Sequence, residues 1–313
     1  MKGEINMKFA TICKKSQKDL KKLLEIELRK SYERVISDDG YLYADGKFPV
    51  LLVAHMDTVH KKLPEHIIYT EKGNKVSSPT GIGGDDRCGI YMILEVIKKY
   101  NCSVLFCEDE EIGGIGADKF VSSALARGLN FNYIIEFDRK GKNDAVFYNC
   151  DNEDFEEFIT KDFYKTAYGS FSDISVIAPA LKCAAVNLSC GYYNAHTEKE
   201  YVLISEMRKS IDEACKILER TKESDVFEYV EKEYSYYRGG GWYNDDYYDY
   251  YNSSSSYLKK YFIIEYYDRN GTSHWDDLFA KSEEEAIGKF CMEHTNICFD
   301  DISQIYYEND VYY

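Results

Sequence analysis

The stretch FPVLLVAHMDTVH, residues 48–60, decides the fold prediction, because a continuous apolar run ends abruptly in a histidine and an aspartate. Apolar residues without polar alternation are typical of a strand that other elements cover on both faces. His55 and Asp57 follow the run two positions apart, so in an extended chain they face the same side. Asp57 can then accept a hydrogen bond from one nitrogen of His55 and leave the other nitrogen free for a metal ion. An ordinary polar contact at a strand end would have the same sequence pattern.

Further apolar runs along the chain predict more strands, and helical patterns lie between them. The predicted strands after residues 48–54 are 103–107, 133–137 and 183–188, and the predicted helices are 89–100, 116–125 and 204–220. Before them, an amphipathic helix is expected from Ser16 to Lys30 and a hairpin from Arg34 to Asp45. Strands that alternate with helices indicate the α/β class, as a three-layer α/β/α domain around a mostly parallel central sheet.

The composition of the 313-residue chain changes after about residue 222. Residues 1–222 are expected to form the α/β domain. Residues 223–257 are rich in Tyr, Asp and Ser and poor in aliphatic side chains, which indicates a linker. Residues 258–313 are expected to form a small α+β accessory module of unknown role. Its predicted elements are a hairpin that turns at Asn270-Gly271, a helix from Ser282 to about His294, and a last strand over 302–307.

The charge and the cysteine content argue against several classes of partner and compartment. The formal net charge is −16 and the isoelectric point about 4.9, which argues against nucleic acid or an anionic membrane surface as a partner. No apolar window approaches the length of a membrane span, and the N-terminal stretch lacks the apolar core of a signal peptide. The ten cysteines form no CxxC pair, which favours reduced, buried thiols and a cytoplasmic protein.

Acidic side chains and a second histidine follow the other predicted strands. Asp85 and Asp86 end a glycine-rich loop, four acids occupy positions 108–111, Asp138 follows the third strand, and His196 comes after the fourth. A helix cap and a solvated charge run are the ordinary explanations for the first two stretches. However, adjacent acids repel one another unless cations or donors neutralise them, and ligands bind at the carboxyl ends of strands in open α/β sheets. Imidazoles with carboxylates suit a pair of metal ions such as Zn²⁺. Spacing alone does not decide which acid of each neighbouring pair is a ligand.

Five motifs in this chain resemble, in their order, the co-catalytic di-zinc exopeptidase superfamily, which includes tripeptidase T, aminopeptidases, carboxypeptidases and deacylases. They are AHMDTV, GGDDRCGI, EDEEIGGIGA, EFD and GYYNAHTEKEYV, within about residues 10–220. The segment around the last motif is especially similar to tripeptidase T. The resemblance therefore implies a di-zinc hydrolase catalytic domain over residues 1–222 and leaves the rest of the chain without a counterpart.

The resemblance also implies a role for each motif residue. The implied metal ligands are His55 and Asp138 on one ion, Glu111 and His196 on the other, and Asp85 as a bridge between them. Asp57 would accept a hydrogen bond from His55 and so orient its ring. Glu110 would act as the general base that takes a proton from the water shared by the two metals, which leaves the attacking hydroxide. The implied cofactors are two divalent metal ions, zinc first and cobalt or manganese as alternatives.

Two further residues are candidates for contact with a substrate. The loop that ends in Asp173 resembles the small-x-Ser/Thr-Asp loop on the substrate side of aminopeptidase branches, so Asp173 is a candidate to hold a substrate ammonium. A plain turn acid is the alternative. Tyr192 and Tyr193, just before His196, are candidates to polarise the substrate carbonyl, and Tyr193 is the preferred one, although packing would also account for both. The remaining histidines match no motif and are expected to be ordinary surface or core residues: His60, His66, His274 and His294.

The chain departs from many relatives because it has no room for a lid. The segments from Asp57 to Asp85 and from Asp138 to His196 are too short to hold an extra lid or dimerisation domain. A lid-mediated dimer is therefore not expected, and an aminopeptidase acting on short peptides is favoured over a carboxypeptidase-like enzyme. Two alternatives stay open. One is an amide deacylase or amidase that cleaves a small amide at the same two-metal site, and the other is a non-catalytic binding protein on a hydrolase scaffold.

Overall fold

The structure, a computed structural model, describes Ile5 and residues 7–232, 260–267, 272–280, 286, 289–290 and 302–308. It divides into two compact units, Met1–Lys232 and Glu233–Tyr313. Three expectations fall wholly or partly outside the described residues: the linker beyond residue 232, the turn at Asn270-Gly271, and most of the helix from Ser282.

One mixed sheet of eight strands forms the centre of the first unit. The strands of this unit are β1 (Val35–Asp38), β2 (Tyr41–Ala44), β3 (Phe48–His55), β4 (Ile68–Thr70), β5 (Lys75–Ser77), β6 (Cys102–Cys107), β7 (Tyr133–Arg139), β8 (Asp144–Val146), β9 (Lys165–Ala167), β10 (Ala185–Ser189), β11 (Tyr192–Tyr193) and β12 (Tyr201–Leu203). The large sheet has the order β1-β2-β6-β3-β7-β10-β8-β9. Strands β6, β3, β7 and β10 are parallel neighbours, and β2 and β8 flank them antiparallel. The parallel centre therefore brings four carboxyl ends to one edge.

Helices cover both faces of this sheet. They are α1 (Phe9–Cys13), α2 (Gln17–Leu28), α3 (Gly84–Val96), α4 (Ile115–Ser122), α5 (Glu153–Thr160), α6 (Ile174–Leu181) and α7 (Ile204–Arg220). Side chains of α1, α2, α3, α5 and α7 share one core with the sheet, and those of α4 and α6 share a second core. Along β3, Leu52 and Ala54 lie in the first core and Leu51 and Val53 in the second, which explains the continuous apolar run. The predicted three-layer α/β/α fold is confirmed.

Several predicted elements occur close to their predicted bounds. Ser16 precedes α2, and its hydroxyl accepts the N–H of Asp19 at 3.2 Å. Leu20 and Leu24 of α2 are fully buried, as the amphipathic pattern predicts. The predicted hairpin is the antiparallel pair β1–β2, and β3, β6, β7 and β10 overlap the four predicted apolar runs.

Helix α3 begins earlier than its apolar pattern predicts. It starts at Gly84, although Asp85 and Asp86 have non-helical dihedral angles. A Cβ atom at Gly89 would lie only 1.8 Å from the carbonyl oxygen of Phe137 on β7. Glycine is therefore required at this position for α3 to pack this closely on the central sheet.

A second, antiparallel sheet with the order β11-β12-β5-β4 is not predicted by the sequence pattern. Its strands have two or three residues each, which is too short for a recognisable period. Helices α1, α5 and α6 are also missing from the prediction, and α6 contains Pro179, which counts against a helix. Between Asp57 and Asp85 the chain forms the short strands β4 and β5, and between Asp138 and His196 it forms strands and helices of the first unit, with no additional domain in either segment.

The second unit contains three described strands. Strand β13 (Lys260–Tyr267) pairs antiparallel with β14 (Ser273–Ala280) and with β15 (Ile302–Glu308). Phe262 and Ile264 pack with Ala286 and Phe290. The predicted hairpin strands and the last strand are therefore confirmed, whereas the domain boundaries near residues 222 and 258 stay predictions.

The first part of the predicted linker lies on the first unit. Glu228 forms a β-bridge with Cys183, and Glu231 forms one with Cys150. Phe227 packs against the first core. The described cysteines are buried free thiols, as predicted. Among the described residues, no helix combines the length and the apolar character that crossing a membrane requires.

Candidate metal centre

The carboxyl edge of the parallel strands gathers the polar residues that end the apolar runs. His55 is the last residue of β3, the acids 108–111 follow β6, and Asp138 lies near the end of β7. The chain after β10 returns past this edge and carries His196 to the same place. The imidazole of His55 is almost fully buried, and its Nδ1 lies 3.1 Å from Oδ1 of Asp57. Nε2 therefore faces the carboxylates that surround it.

A first cluster consists of one imidazole and two carboxylates. Nε2 of His55 lies 3.2 Å from Oδ1 of Asp85 and 3.3 Å from Oδ1 of Asp138. Oε2 of Glu110 is more distant, at 3.9 Å from the same nitrogen. One ligand atom from each of His55, Asp85 and Asp138 lies within 4.8 Å of the other two. This spacing suits a single bound cation.

A second cluster shares one residue with the first. Nε2 of His196 lies 3.3 Å from Oδ2 of Asp85 and 3.1 Å from Oε2 of Glu111. Ligand atoms of these three residues also lie within 4.8 Å of one another. The two oxygens of Asp85 thus face two different imidazoles, which is the arrangement that a carboxylate bridging two metal ions requires.

Asp57 connects the β3 end with the β6 end. Besides its contact with His55, its carboxylate accepts the backbone N–H groups of Glu110 at 3.1 Å and Glu111 at 3.0 Å. Because the carboxylate has two oxygens, it holds the histidine and the acidic loop at the same time. Asp57 is outside both ligand clusters, and it sets the orientation of residues in each of them.

The four consecutive acids divide into two pairs. Glu108 accepts a hydrogen bond from Lys21 at 2.5 Å, and Asp109 accepts one from Gln17 at 2.8 Å, both on α2. Glu110 and Glu111 instead face the histidines. Only tertiary structure separates these pairs, because α2 is far away in sequence.

Asp85 and Asp86 also differ in their surroundings. The peptide bond between them is cis. Asp86 is fully buried and accepts the N–H of Gly89 at 2.8 Å, so it caps the regular part of α3. Burial raises its pKa well above the ordinary value, and the charge of Asp138 adds to that effect. Asp86 belongs to neither ligand cluster.

The electrostatics of the clusters indicate a need for positive charge. Burial raises the pKa of Glu111 to about 7, and the charge of Asp85 contributes to the same shift. Burial also raises the pKa of Asp138 to about 6, again with a contribution from Asp85. Oε1 of Glu111 is buried without a hydrogen-bond partner. Buried carboxylates with unused acceptor atoms, next to imidazole nitrogens, form a donor set that fits borderline divalent cations such as zinc.

Asp138 is surrounded by a network of polar side chains that the sequence motifs do not identify. Oδ1 of Asn187 on β10 accepts the backbone N–H of Asp138 at 2.9 Å. The hydroxyl of Ser172 donates to the buried carboxylate of Glu136 and lies 3.0 Å from Oδ2 of Asp138. The signal available in the sequence was an asparagine within the apolar run of β10 and a glutamate within that of β7.

The two candidate substrate residues lie in different environments. Asp173 is fully buried at the start of α6, and burial raises its pKa to about 7. The hydroxyl of Tyr193 donates to Glu206 at 2.5 Å, and its ring stacks on Tyr201. The hydroxyl of Tyr192 donates to the backbone carbonyl of Asp138 at 3.0 Å. Substrate contacts by Asp173 and Tyr193 stay predictions.

No protein-family model matches the sequence, and no curated protein sequence matches it either. Solved structures do match. The aminopeptidase PepT from Bacillus cereus has a TM-score of 0.55 at 16% identity, and the match covers 69% of this chain and 99% of that chain. A tripeptidase from Staphylococcus aureus has a TM-score of 0.54 at 14% identity, with 69% and 98% covered. An aminopeptidase from the archaeon Desulfurococcus kamchatkensis has a TM-score of 0.54 at 15% identity, with 70% and 95% covered.

Identities this low are evidence about the backbone rather than about activity. The chain has the fold of these tripeptidases and aminopeptidases, as the motif resemblance predicts.

Proposed function

We propose that the protein is a metal-dependent exopeptidase, and specifically an aminopeptidase that hydrolyses short peptides. The observation that carries this proposal is the pair of ligand clusters that share Asp85 at the carboxyl edge of the sheet. The names of the matched structures, an aminopeptidase and a tripeptidase among them, support the same class of reaction.

Two divalent metal ions would be held by the residues of the clusters, with zinc as the first choice and cobalt or manganese as alternatives. Bound in this place, such ions supply Lewis-acid polarisation of the scissile carbonyl and lower the pKa of water toward neutrality. The ligands would be His55, Asp138, Asp85, Glu111 and His196. Asp57 would hold the Nδ1 proton of His55, so that Nε2 stays available as a ligand atom.

Glu110 would act as the general base. Its carboxylate is next to the clusters without belonging to either, and burial raises its pKa well above the ordinary value. A carboxylate in this position takes a proton from the attacking water and hands it to the leaving amine. Asp173 is proposed to favour a substrate ammonium through its charge, and Tyr193 to lie beside the substrate.

Other observations support a proposal about the compartment, the assembly and the substrates of the enzyme. The described cysteines are free and buried, which supports a reducing compartment such as the cytoplasm. The absence of an inserted domain between the motif residues of the described first unit supports a lidless enzyme that does not form a lid-mediated dimer. Short peptides or small amides are therefore the proposed substrates.

The test of the proposed reaction is Glu110→Gln, which keeps the size of the side chain and removes the basic oxygen. We expect kcat to fall by about 10²–10⁴-fold while the metal content stays unchanged. Glu108→Gln is the matched control, because Glu108 belongs to the same acidic run but is bonded to Lys21 of α2. Full activity of Glu110→Gln on every substrate found would contradict the proposed role.

A substrate panel separates the proposal from its alternatives. Di- and tripeptides with free amino groups should be cleaved faster than N-acylated amino acids if the enzyme is an aminopeptidase. The opposite preference would identify an amide deacylase or amidase. Purified protein that holds metal but cleaves neither class would favour a binding protein on a hydrolase scaffold.

A further inference from the structure

Glu200 is a fully buried carboxylate that the sequence analysis does not single out. It lies four positions after His196 in the sequence, and its two oxygens accept hydrogen bonds from the loop that carries Asp85. Oε2 accepts the backbone N–H of Gly83 at 2.8 Å, and Oε1 accepts the backbone N–H of Asp85 at 3.0 Å. Nε2 of His60 lies 2.6 Å from Oε2.

These contacts join three segments that are distant in sequence and that each carry a residue of the candidate centre. His60 belongs to the loop that leaves β3 after His55. Gly83 and Asp85 belong to the loop before α3, and Glu200 belongs to the loop of His196. Within the described residues, no other side chain accepts hydrogen bonds from the backbone of the Gly83–Asp85 loop.

The surrounding packing leaves little room for this carboxylate to be replaced by another contact. A Cβ atom at Gly84 would lie 2.8 Å from Val202 and 2.9 Å from Tyr192. A Cβ atom at Gly81 would lie within 2.5 Å of the His60 ring. The loop before α3 therefore packs closely against the strand that carries Val202 and against His60, and Oε1 of Glu200 would lie 3.3 Å from a Cβ atom at Gly84.

We propose that Glu200 is the positioning residue of the centre: it holds the Asp85 backbone at a fixed distance from His196 while His60 holds Glu200. The two oxygens of Asp85 face two different imidazoles, and a rotation of its backbone would turn them away. The hydrogen bond from the backbone N–H of Asp85 to Oε1 of Glu200 restrains that rotation. This proposal rests on one part of the proposed function, namely that the centre binds metal, and it does not depend on which substrate is cleaved. Glu200 itself contacts neither metal nor substrate in this proposal.

The test compares Glu200→Gln with Glu213→Gln in the full-length protein. Glu213 is also a buried carboxylate, but its hydrogen bonds are to Lys209 and Lys216 within α7. Titration with Zn²⁺ and Co²⁺ measures metal affinity, and the visible absorption of bound Co²⁺ reports its coordination geometry. For Glu200→Gln we expect the affinity for metal to fall about 10–100-fold, which is the usual effect of losing a residue that orients a metal ligand through a hydrogen bond. We also expect the absorption spectrum of bound Co²⁺ to change. Glu213→Gln should match the wild type in both.

Thermal melting of the metal-free variants separates positioning from loss of folding. If Glu200→Gln folds and binds Co²⁺ with unchanged affinity and spectrum, the proposal is overturned. If it does not fold, His60→Gln decides instead, because it removes the contact to Oε2 and leaves both backbone bonds. Weaker metal binding by His60→Gln would support the proposal, and unchanged binding would overturn it. Wild-type protein that binds no metal would refute the proposed function itself, which is a different outcome.

Discussion

Neighbouring acids in this chain have different surroundings, and these decide which of them can bind a cation. Asp85 points one oxygen at each of two imidazoles, whereas Asp86 is turned away and caps a helix through the N–H of Gly89. In the acidic run, Glu111 has a buried oxygen without a partner, whereas Glu108 is bonded to Lys21 of α2. Charge and residue type are alike within each pair, so the geometry of the backbone determines the difference.

Asp85→Ala is expected to abolish the binding of both metal ions, because each cluster loses the carboxylate that the two share. Elemental mass spectrometry measures the metal ions per chain, in protein as purified and after incubation with zinc and desalting. Asp109→Asn is the control, since Asp109 directly precedes Glu110 and Glu111 in the sequence but is bonded to Gln17. Retention of two ions per chain by Asp85→Ala would show that the shared carboxylate is not a ligand.

At the scale of elements, the approach of α3 to the central sheet determines where Asp85 lies. Gly89 has no Cβ, and this allows the helix backbone to contact the carbonyl of Phe137 on β7. The first residues of α3 carry Asp85, so a shift of the helix would also move one side of the candidate centre.

Gly89→Ala is expected to lower the free energy of unfolding by about 1–3 kcal/mol, because the added methyl group overpacks the contact between α3 and β7. Urea denaturation of metal-free protein, followed by circular dichroism, measures the change. Gly128→Ala is the control, because a Cβ atom there would meet no atom within 4 Å, and its effect should stay within about 0.5 kcal/mol. Equal stability of the two variants would mean that α3 can relax away from β7 at no cost.

Sequence patterns identify the elements that are long enough to show a repeating pattern and that have clear ends. The apolar runs of β3, β6, β7 and β10 and the amphipathic helices α2 and α7 are of this kind. The strands of the small antiparallel sheet have only two or three residues, which is too short to show an alternating pattern. Helix α6 contains a proline, which counts against a helix in the sequence. These short elements form because the larger sheet already places their partners, which is a tertiary effect.

At the scale of the whole molecule, the candidate centre belongs entirely to the first unit. Every residue of the two clusters lies within Met1–Lys232, as do both cores of the large sheet. Residues after the predicted domain end at 222 still contribute to this unit, because Glu228 and Glu231 form β-bridges to Cys183 and Cys150.

A variant that ends at Lys232 is therefore expected to keep the metal content and the catalytic activity of the full chain. A variant that ends at Lys222 should be less stable, because it loses the two β-bridges and the packing of Phe227 against the first core. Thermal melting and elemental mass spectrometry of the two truncated proteins check both statements. Equal melting temperatures would place the end of the first domain near residue 222, as the sequence composition predicts.

The sequence by itself determined the class of the fold and the strand ends at which the candidate residues lie, and the motif resemblance implied which acid of each neighbouring pair is a ligand. Continuous apolar runs require cover on both faces, and residues at the ends of parallel strands meet at one edge of a sheet, so the fold class and the place of the centre follow from local pattern. Only the tertiary structure decided the pairing of Asp85 with both imidazoles, the separation of Glu108 and Asp109 from the centre, and the contacts of Glu200. These depend on hydrogen bonds between segments that are far apart in the chain, such as Glu200 to Gly83. No local pattern records such contacts, because they form only when the sheet has brought the loops together.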